Sequence, residues 1–274
     1  MLGAIVGDVV GSVFEFDKNR GQAYSGQYKL VTKYSTFTDD TVMTLAVADA
    51  LMRSMPSRGN ECPEKFFEQQ VIRSMQKFGS VYPYAGYGAR FILWLREKNP
   101  LPYNSWGNGS AMRVSPVAWA FDKLEDVEKF AEISAQVSHN HPEGIKGAKS
   151  TAAAIFMART GKTKQEIKDY IIEKYNYDLS RTLDEIRPTY HHVEACQVTV
   201  PEALTAFMEG ENFEDVTRCA VSLSGDSDTL TDIACAIAEG FYGIPDEISE
   251  MVLPKLGEGL LIDTLKRWEE WRKN

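Results

Sequence analysis

The sequence predicts an all-α fold, a compact orthogonal arrangement of many helices in a single domain. Apolar residues recur at helical spacing in ten separate segments, whereas the strand-like patch at residues 28–34 is short and isolated. No Pro/Gly/Ser-rich linker and no repeat of 20–50 residues divides the 274-residue chain. A chain of this length buries about three quarters of its unfolded surface in one core. We therefore expect one domain over residues 1–274.

The helices are predicted from their apolar spacing and from capping residues at their starts. The ten segments are residues 41–53, 64–78, 87–98, 124–137, 144–160, 164–174, 201–209, 213–224, 229–242 and 263–272. Three long loops remain, at residues 17–37, 99–112 and 179–193. Loops of that length inside a compact domain tend to be functional.

Charge and cysteine content restrict the class of protein. Thirty basic and 39 acidic residues leave a net charge of −9, which argues against a nucleic-acid partner. No window approaches about 18 consecutive apolar residues, so we expect no membrane span. The first charged residue is the acidic Asp8, whereas a secretory signal peptide begins with a positively charged segment, so we expect no signal peptide. Four cysteines without C-x-x-C spacing indicate buried thiols, and we expect a cytoplasmic protein.

The first segment, residues 3–16, has glycine at every fourth position: Gly3, Gly7 and Gly11. Each glycine costs a helix about 1 kcal/mol relative to alanine, so close approach of a neighbouring helix must offset them. Asp8 and Glu15 are seven residues apart and would share one helix face. For this segment alone, two solvated acids on a packed helix remain the simpler interpretation.

Two acidic helix starts, TDDT at residues 38–41 and DSDT at 226–229, lie nearly two hundred residues apart. Each alone is more often a helix cap, because aspartate and threonine are favoured there. One aspartate suffices to cap a helix, so the two paired starts together favour a dinuclear metal site. Carboxylate and hydroxyl oxygens are the ligands of Mg²⁺ and Mn²⁺. Zinc is disfavoured because no His/Cys cluster accompanies them.

Two further segments could contact a ligand. In residues 105–116, SWGNGSAMRVSP, Gly107 and Gly109 free the backbone to present N–H groups to an anion, although a tight surface loop is equally compatible. Residues 138–147 hold His139 and His141. Either histidine could bind a ligand phosphate or sugar, or hydrogen-bond to the loop backbone.

Five segments, in this order, resemble the ADP-ribosylglycohydrolase family: GAIVGDVVGSVFE, FTDDTVMTLAVADAL, NSWGNGSAMRVSPVA, SHNHPEGIKGA and SGDSDTLTDIACAIAEGFYG. The resemblance implies two Mg²⁺ or Mn²⁺ ions at the base of a cleft. Their ligands would be Thr38, Asp39, Asp40, Asp226, Asp228 and Thr229. Glu15 matches a family glutamate implicated in catalysis. The residues implied to bind the ligand are Ser105, Trp106, Gly107, Asn108 and Gly109 around the diphosphate, His139 near the phosphate–ribose end, and Tyr87 in a segment lining the cleft.

The implied reaction is hydrolysis at the anomeric carbon of ADP-ribose, which releases ADP-ribose from an N- or O-linked acceptor on a protein or small molecule. Glu15 is the predicted general base. Two alternatives stay open, namely a non-catalytic member that binds ADP-ribose and a dinuclear-metal phosphoesterase. The chain departs from many members at Ser224, where glycine is common, and at Asp232 and Glu239, where small residues are common.

Overall fold

Helices form nearly all of the regular structure in this computed structural model, which describes residues 1–273. The α-helices are α1 (Leu2–Gly11), α2 (Arg20–Ser25), α3 (Asp39–Ser54), α4 (Glu64–Val81), α5 (Ala89–Arg96), α6 (Gly109–Met112), α7 (Ser115–Ala120), α8 (Leu124–Gln136), α9 (Pro142–Arg159), α10 (Lys164–Tyr175), α11 (Leu183–Ile186), α12 (Cys196–Glu209), α13 (Phe213–Val221), α14 (Ser227–Tyr242), α15 (Asp246–Val252) and α16 (Leu260–Lys273). Two 3₁₀ turns occur at Glu15–Asp17 and Leu253–Leu256. Among the described residues there is no β-strand, only one bridge between Gly107 and Ala195. The all-α prediction is confirmed.

The ten predicted helices are present, with differences at their ends. The largest difference is in α12, which starts at Cys196 rather than at 201 and contains Pro201 in its interior. Proline is favoured in a first helical turn, and that preference misplaced the predicted start. The predicted loops contain α2, α6 and α11, and α7 and α15 were also missed. These helices have seven residues or fewer, too short to show a period, and tertiary packing stabilises them.

Helix α1 packs against α14 at very short distance through its glycine face. A Cβ atom added to Gly3, Gly7 or Gly11 would lie 2.3, 2.3 and 2.4 Å from the carbonyl oxygens of Cys235, Thr231 and Ser227, respectively. Each step of four along α1 corresponds to four steps backward along α14, so the two helices are antiparallel. The close approach expected from the glycine spacing is confirmed, although the helix ends at Gly11 and does not reach Glu15.

Asp8 joins α1 to the start of α3. Its carboxylate is fully buried and accepts four hydrogen bonds. They come from the backbone N–H and the hydroxyl of Thr38, both at 2.9 Å, and from the same two groups of Thr41, at 3.0 and 2.5 Å. Because α1 also ends beside the first residues of α14, it brings the starts of α3 and α14 to one place.

Replacement of Gly7 by alanine should destabilise the fold by about 3 kcal/mol, at the upper end for overpacking, because the added methyl would meet α14 backbone that cannot yield. The measurement is the free energy of unfolding in urea. Gly21→Ala in α2 is the matched control, since nothing lies within 4 Å of its added Cβ. Equal stability of Gly7→Ala and the wild type would contradict this account of α1.

The core is a continuous apolar cluster that runs from Met1 to Trp271. All four cysteines are free thiols; Cys62, Cys196 and Cys235 are buried, and Cys219 is partly exposed. In the part of the chain that the structure describes, no helix combines the length and the apolar content that a bilayer crossing requires.

Candidate active site

The starts of α3 and α14 meet at the bottom of a cleft of about 330 Å³. Five acids form what we call the acidic floor: Glu15, Asp39, Asp40, Asp226 and Asp228. Thr229 lines the cleft beside them, and the opposite wall carries Gly107, Gly109 and His139. The two acidic helix starts, distant in sequence, thus contribute to one concave surface.

The backbone before α14 is shaped to present its acids. Ser224 and Gly225 are both left-handed, with φ of 60° and 72°, and Asp226 follows as the residue that caps the helix. A side chain at Gly225 would also lie 3.0 Å from the His191 carbonyl, so glycine is required there. The N–H of Phe16 donates to the carbonyl of Gly225 at 2.8 Å and fixes the 3₁₀ turn that carries Glu15.

Three floor acids are close enough to share a cation. One carboxylate oxygen from each of Glu15, Asp226 and Asp228 lies within 4.8 Å of the other two. One buried oxygen of Asp40 and one of Asp228 lack a hydrogen-bond partner. Within residues 1–273, no lysine, arginine or histidine forms an ion pair with a floor acid. Unpaired buried carboxylates of this kind are the donor set that a hard divalent cation takes, so the residues fit Mg²⁺ or Mn²⁺.

Burial raises the pKa of every floor acid, and repulsion adds to the shift in all of them except Asp228. Burial is the largest cause, and the negative charge of Asp228 adds to the shift of each of the other four. The pKa of Glu15 rises to about 7, and those of Asp39, Asp40 and Asp226 rise well above their ordinary range. A bound cation would remove this repulsion, which otherwise destabilises the folded chain.

The metal-free protein should therefore become less stable as the pH rises from 5 to 8. Glu15 and Asp8 have pKa values of about 7 in the folded chain, against ordinary values of 4.5 and 3.8. Folded protein then binds protons that unfolded protein has already released, so its stability is lost as the pH rises through 7. Melting temperatures in EDTA across this range measure the effect.

Saturating Mg²⁺ is the control for the pH experiment, because a cation should largely abolish the fall in melting temperature. Asp49 and Glu128 do not contribute in this range, since their hydrogen bonds lower their pKa further below it. Burial lowers the pKa of His139 and of the Met1 amino terminus, so these two groups act in the opposite direction. The raised acids outnumber them: Asp8, Glu15, Asp39, Asp40, Asp226 and Asp232. A melting temperature in EDTA that is constant or rises from pH 5 to 8 would contradict the prediction.

The glycine-rich turn at residues 105–109 is anchored to the start of α12. The backbone N–H of Asn108 donates to the backbone carbonyl of Glu194 at 3.0 Å, and the backbone N–H of Cys196 donates to the backbone carbonyl of Trp106 at 3.0 Å. Ser105, Gly107, Asn108 and Gly109 line the cleft. The Asn108 amide donates to the Asp226 carboxylate and to Thr199, so this side chain holds a floor acid in place.

Two residues expected at the ligand lie outside the cleft lining. Trp106 is half exposed, with its ring edge-on to His141 at 5.4 Å. Tyr87 is buried beside Phe91, and its glycine neighbours at 86 and 88 line the cleft instead. Thr38 faces an adjoining cavity of about 440 Å³, described below.

Comparison with known proteins decides the family. The family model described as ADP-ribosylglycohydrolase matches residues 1–272. The chain belongs to the ADP-ribosylglycohydrolase family. It is 26% identical to human "ADP-ribosylhydrolase ARH3", over 91% of this chain and 86% of the human protein. It is 27% identical to "ADP-ribosylarginine hydrolase Tri1" of Pseudomonas putida strain GB-1, over 89% of this chain and 70% of that protein.

A solved structure titled "ADP-ribosylglycohydrolase-related protein complex" shares the fold, with a TM-score of 0.61 and 22% identity over 96% of this chain and 95% of that one. The family is hydrolytic on the glycosidic bonds of ADP-ribose, and this chain is an enzyme of that class. The resemblance drawn from the sequence motifs is therefore confirmed.

Two of the residues that depart from the ADP-ribosylglycohydrolase pattern are Glu239 and Asp232, and the structure shows what surrounds each of them. Glu239 accepts hydrogen bonds from the amino terminus of Met1 and from Gly3, which anchors α1 to α14. Asp232 is fully buried, outside the cleft lining, and both of its carboxylate oxygens lack a partner among the described residues. Burial raises the pKa of Asp232 well above its ordinary value.

Three polar residues of this ADP-ribosylglycohydrolase site received no role from the sequence: Asp8 and Arg113, whose segments were noted, and Glu194, which was missed. Asp8 had a usable signal, because it is the one acid within an apolar, glycine-spaced helix. Arg113 is buried and lines the cleft, and Glu194 is exposed and lines the same cleft. No spacing distinguishes Arg113 or Glu194 from other charged residues, since the tertiary fold alone brings them to the cleft.

Proposed function

We propose that this enzyme uses two divalent cations, Mg²⁺ or Mn²⁺, to hydrolyse the bond at the anomeric carbon of ADP-ribose. ADP-ribose would be released from an N- or O-linked acceptor on a protein or a small molecule. One observation carries the proposal: the starts of α3 and α14 and the turn after α1 place five acids, none of them in an ion pair among the described residues, on the floor of one cleft.

The cation ligands would come from both helix starts: Thr38, Asp39 and Asp40 from α3, and Asp226, Asp228 and Thr229 from α14. The bound cations would supply positive charge that orients the ribose hydroxyls and polarises a water molecule. The hydroxyl of Thr38 donates its proton to Asp8, which leaves a lone pair of the oxygen free for a cation. The side-chain amide of Asn108 donates a hydrogen bond to the Asp226 carboxylate and so holds it in position.

Glu15 is the proposed general base. It is half-buried, belongs to no ion pair among the described residues, and lies beside Asp226 and Asp228. A raised pKa of about 7 suits proton transfer near neutral pH, because a general base works best with a pKa close to the working pH. Positive charge that develops on the sugar ring would be stabilised by the floor carboxylates, as in other glycoside hydrolyses.

The acceptor would occupy the adjoining cavity of about 440 Å³. It shares Glu15, Asp39, Gly86 and Asp228 with the cleft, and the aromatic side chains of Phe37, Tyr82 and Tyr84 line its other side. With the diphosphate at the glycine-rich turn, the anomeric carbon would lie over the shared acids and the leaving group beyond them. No basic side chain lines this cavity within residues 1–273. Aromatic rings attract a guanidinium, so an arginine-linked substrate is the first to test.

The test is a product assay on ADP-ribosylated arginine, ADP-ribosylated serine peptide and O-acetyl-ADP-ribose, each with Mg²⁺, with Mn²⁺ and with EDTA. We expect release of ADP-ribose from at least one substrate, only when a divalent cation is present. ADP-ribose binding without release on any substrate would overturn the catalytic proposal. Release of AMP would indicate phosphoester chemistry instead.

A further inference from the structure

His139 offers one ring nitrogen to the protein and the other to the cleft. Its Nδ1 lies 2.8 Å from the hydroxyl oxygen of Ser138. Its Nε2 lies against the glycine-rich turn, because a Cβ added to Gly109 or Gly107 would be 3.3 or 3.5 Å from that nitrogen. Nε2 has no hydrogen-bond partner in the described chain, and His139 lines the cleft. A ligand oxygen over the turn would therefore meet Nε2.

The direction of the Ser138–His139 hydrogen bond follows from Arg113. One guanidinium nitrogen of Arg113 donates to the Ser138 hydroxyl at 2.8 Å, and a guanidinium can only donate. Ser138 is fully buried, and its hydroxyl has no acceptor among the described residues other than His139. The hydroxyl must give its single proton to Nδ1, since the reverse arrangement would leave a buried donor unpaired.

Arg113 is itself held in one position. The same nitrogen donates to the Ser134 carbonyl at 3.1 Å, and the guanidinium lies 5.7 Å from the centre of the Phe91 ring. Burial, together with the positive charge of Arg113, lowers the pKa of His139 well below its ordinary value, so the ring is neutral at pH 7. A neutral ring carries one N–H, and Ser138 leaves only Nε2 to carry it.

We propose that Arg113 and Ser138 are positioning residues that fix His139 as the Nε2–H tautomer, so that Nε2 donates a hydrogen bond to a diphosphate or ribose oxygen lying over the glycine-rich turn. The identity of that oxygen rests on the proposed function. The tautomer does not, because it follows from contacts within the chain. Residues that act through His139 thus orient a donor before the ligand arrives.

The experiment is long-range ¹H–¹⁵N NMR on the ligand-free, ¹⁵N-labelled protein, with His139 assigned by comparison with His139→Gln. We expect a protonated Nε2 and an unprotonated Nδ1 in the wild type. In Ser138→Ala, Nδ1 loses its donor, the single-tautomer pattern disappears, and the Kd for ADP-ribose rises about tenfold, the usual scale for one hydrogen bond.

Ser134→Ala is the matched control. Ser134 is also fully buried in α8, and its hydroxyl donates to the Ala131 carbonyl at 2.8 Å, while its own carbonyl stays available to Arg113. We expect the wild-type tautomer and a Kd within about twofold of wild type. If Ser138→Ala does not fold, the wild-type spectrum still tests the tautomer.

A protonated Nδ1 in the wild type would overturn the inference, as would equal losses of ADP-ribose affinity in Ser134→Ala and Ser138→Ala. The two proposals fail separately. An Nε2–H tautomer in a protein that binds no ADP-ribose supports the positioning of His139 by Arg113 and Ser138 and overturns the proposed function. An Nδ1–H tautomer in a protein that hydrolyses its substrate overturns only the proposed positioning of His139 by Arg113 and Ser138.

Discussion

Asp228→Asn should lower turnover at least about 1000-fold, because a cation ligand worth several kcal/mol to the transition state is lost. The same variant should melt at a higher temperature than the wild type in EDTA. The charge of Asp228 raises the pKa of each other floor acid, so its removal relieves repulsion across the whole floor. A relief of 1 kcal/mol corresponds to a shift of about 2–4 °C for a chain of this size.

Asp49→Asn is the control for Asp228→Asn, and it should behave in the opposite way. Asp49 is also a fully buried aspartate, but it forms ion pairs with Arg53 and Arg267 and accepts a hydrogen bond from Ser74. These partners lower its pKa, so loss of its charge should lower the melting temperature while leaving turnover near wild type. A metal-free Asp228→Asn protein that is less stable than the wild type would contradict the assignment of the acidic floor.

Glu15→Gln should lower kcat at least about 100-fold while the affinities for Mg²⁺ and ADP-ribose change little, because loss of a general base affects proton transfer most. The amide keeps the size of the side chain but cannot accept a proton. Single-turnover kinetics measure the chemical step, and calorimetric titration with ADP-ribose measures binding.

Glu194→Gln controls for a general loss of negative charge at the cleft. Glu194 lines the same cleft, but its side chain is exposed and pairs with His192 at 3.0 Å. Its replacement should change kcat by less than about fivefold, as a surface ion pair contributes at most about 1 kcal/mol. Turnover of Glu15→Gln at the wild-type rate would remove Glu15 from the role of general base.

The longer helices could be predicted from the sequence because their residues carry structural information locally. In α3, Thr38 caps the first turn, and the apolar residues that follow are buried. The short helix α7 carries no such signal, because its Ser115–Ala120 segment is too brief to show a period. The expectation that α1 reaches Glu15 was wrong for a related reason: the glycine spacing shows which helix face can pack closely but not where the helix ends.

The acidic residues of the candidate site could be predicted from their types and spacing, but their surroundings could not. Asp226 and Asp228 share an unusual motif with a hydroxyl-bearing neighbour, and that pattern is visible in the chain alone. The family resemblance implied that Trp106 and Tyr87 contact the ligand, which stays a prediction; in the structure Trp106 lies beside His141, and Tyr87 is buried. A motif identifies a segment but not which way each side chain in it points.

By itself, the sequence determined the all-α class, the long helices and the acidic segments at the starts of α3 and α14. These features depend on residues close together in the chain. Only the tertiary structure decided that Asp8 accepts hydrogen bonds from the first turn of α3, that Asp232 is buried without a partner among the described residues, and that Arg113 and His139 both contact the Ser138 hydroxyl. Each of those contacts joins separate elements or depends on burial. Side-chain hydrogen bonding and desolvation are set by three-dimensional neighbours, which composition and periodicity do not specify.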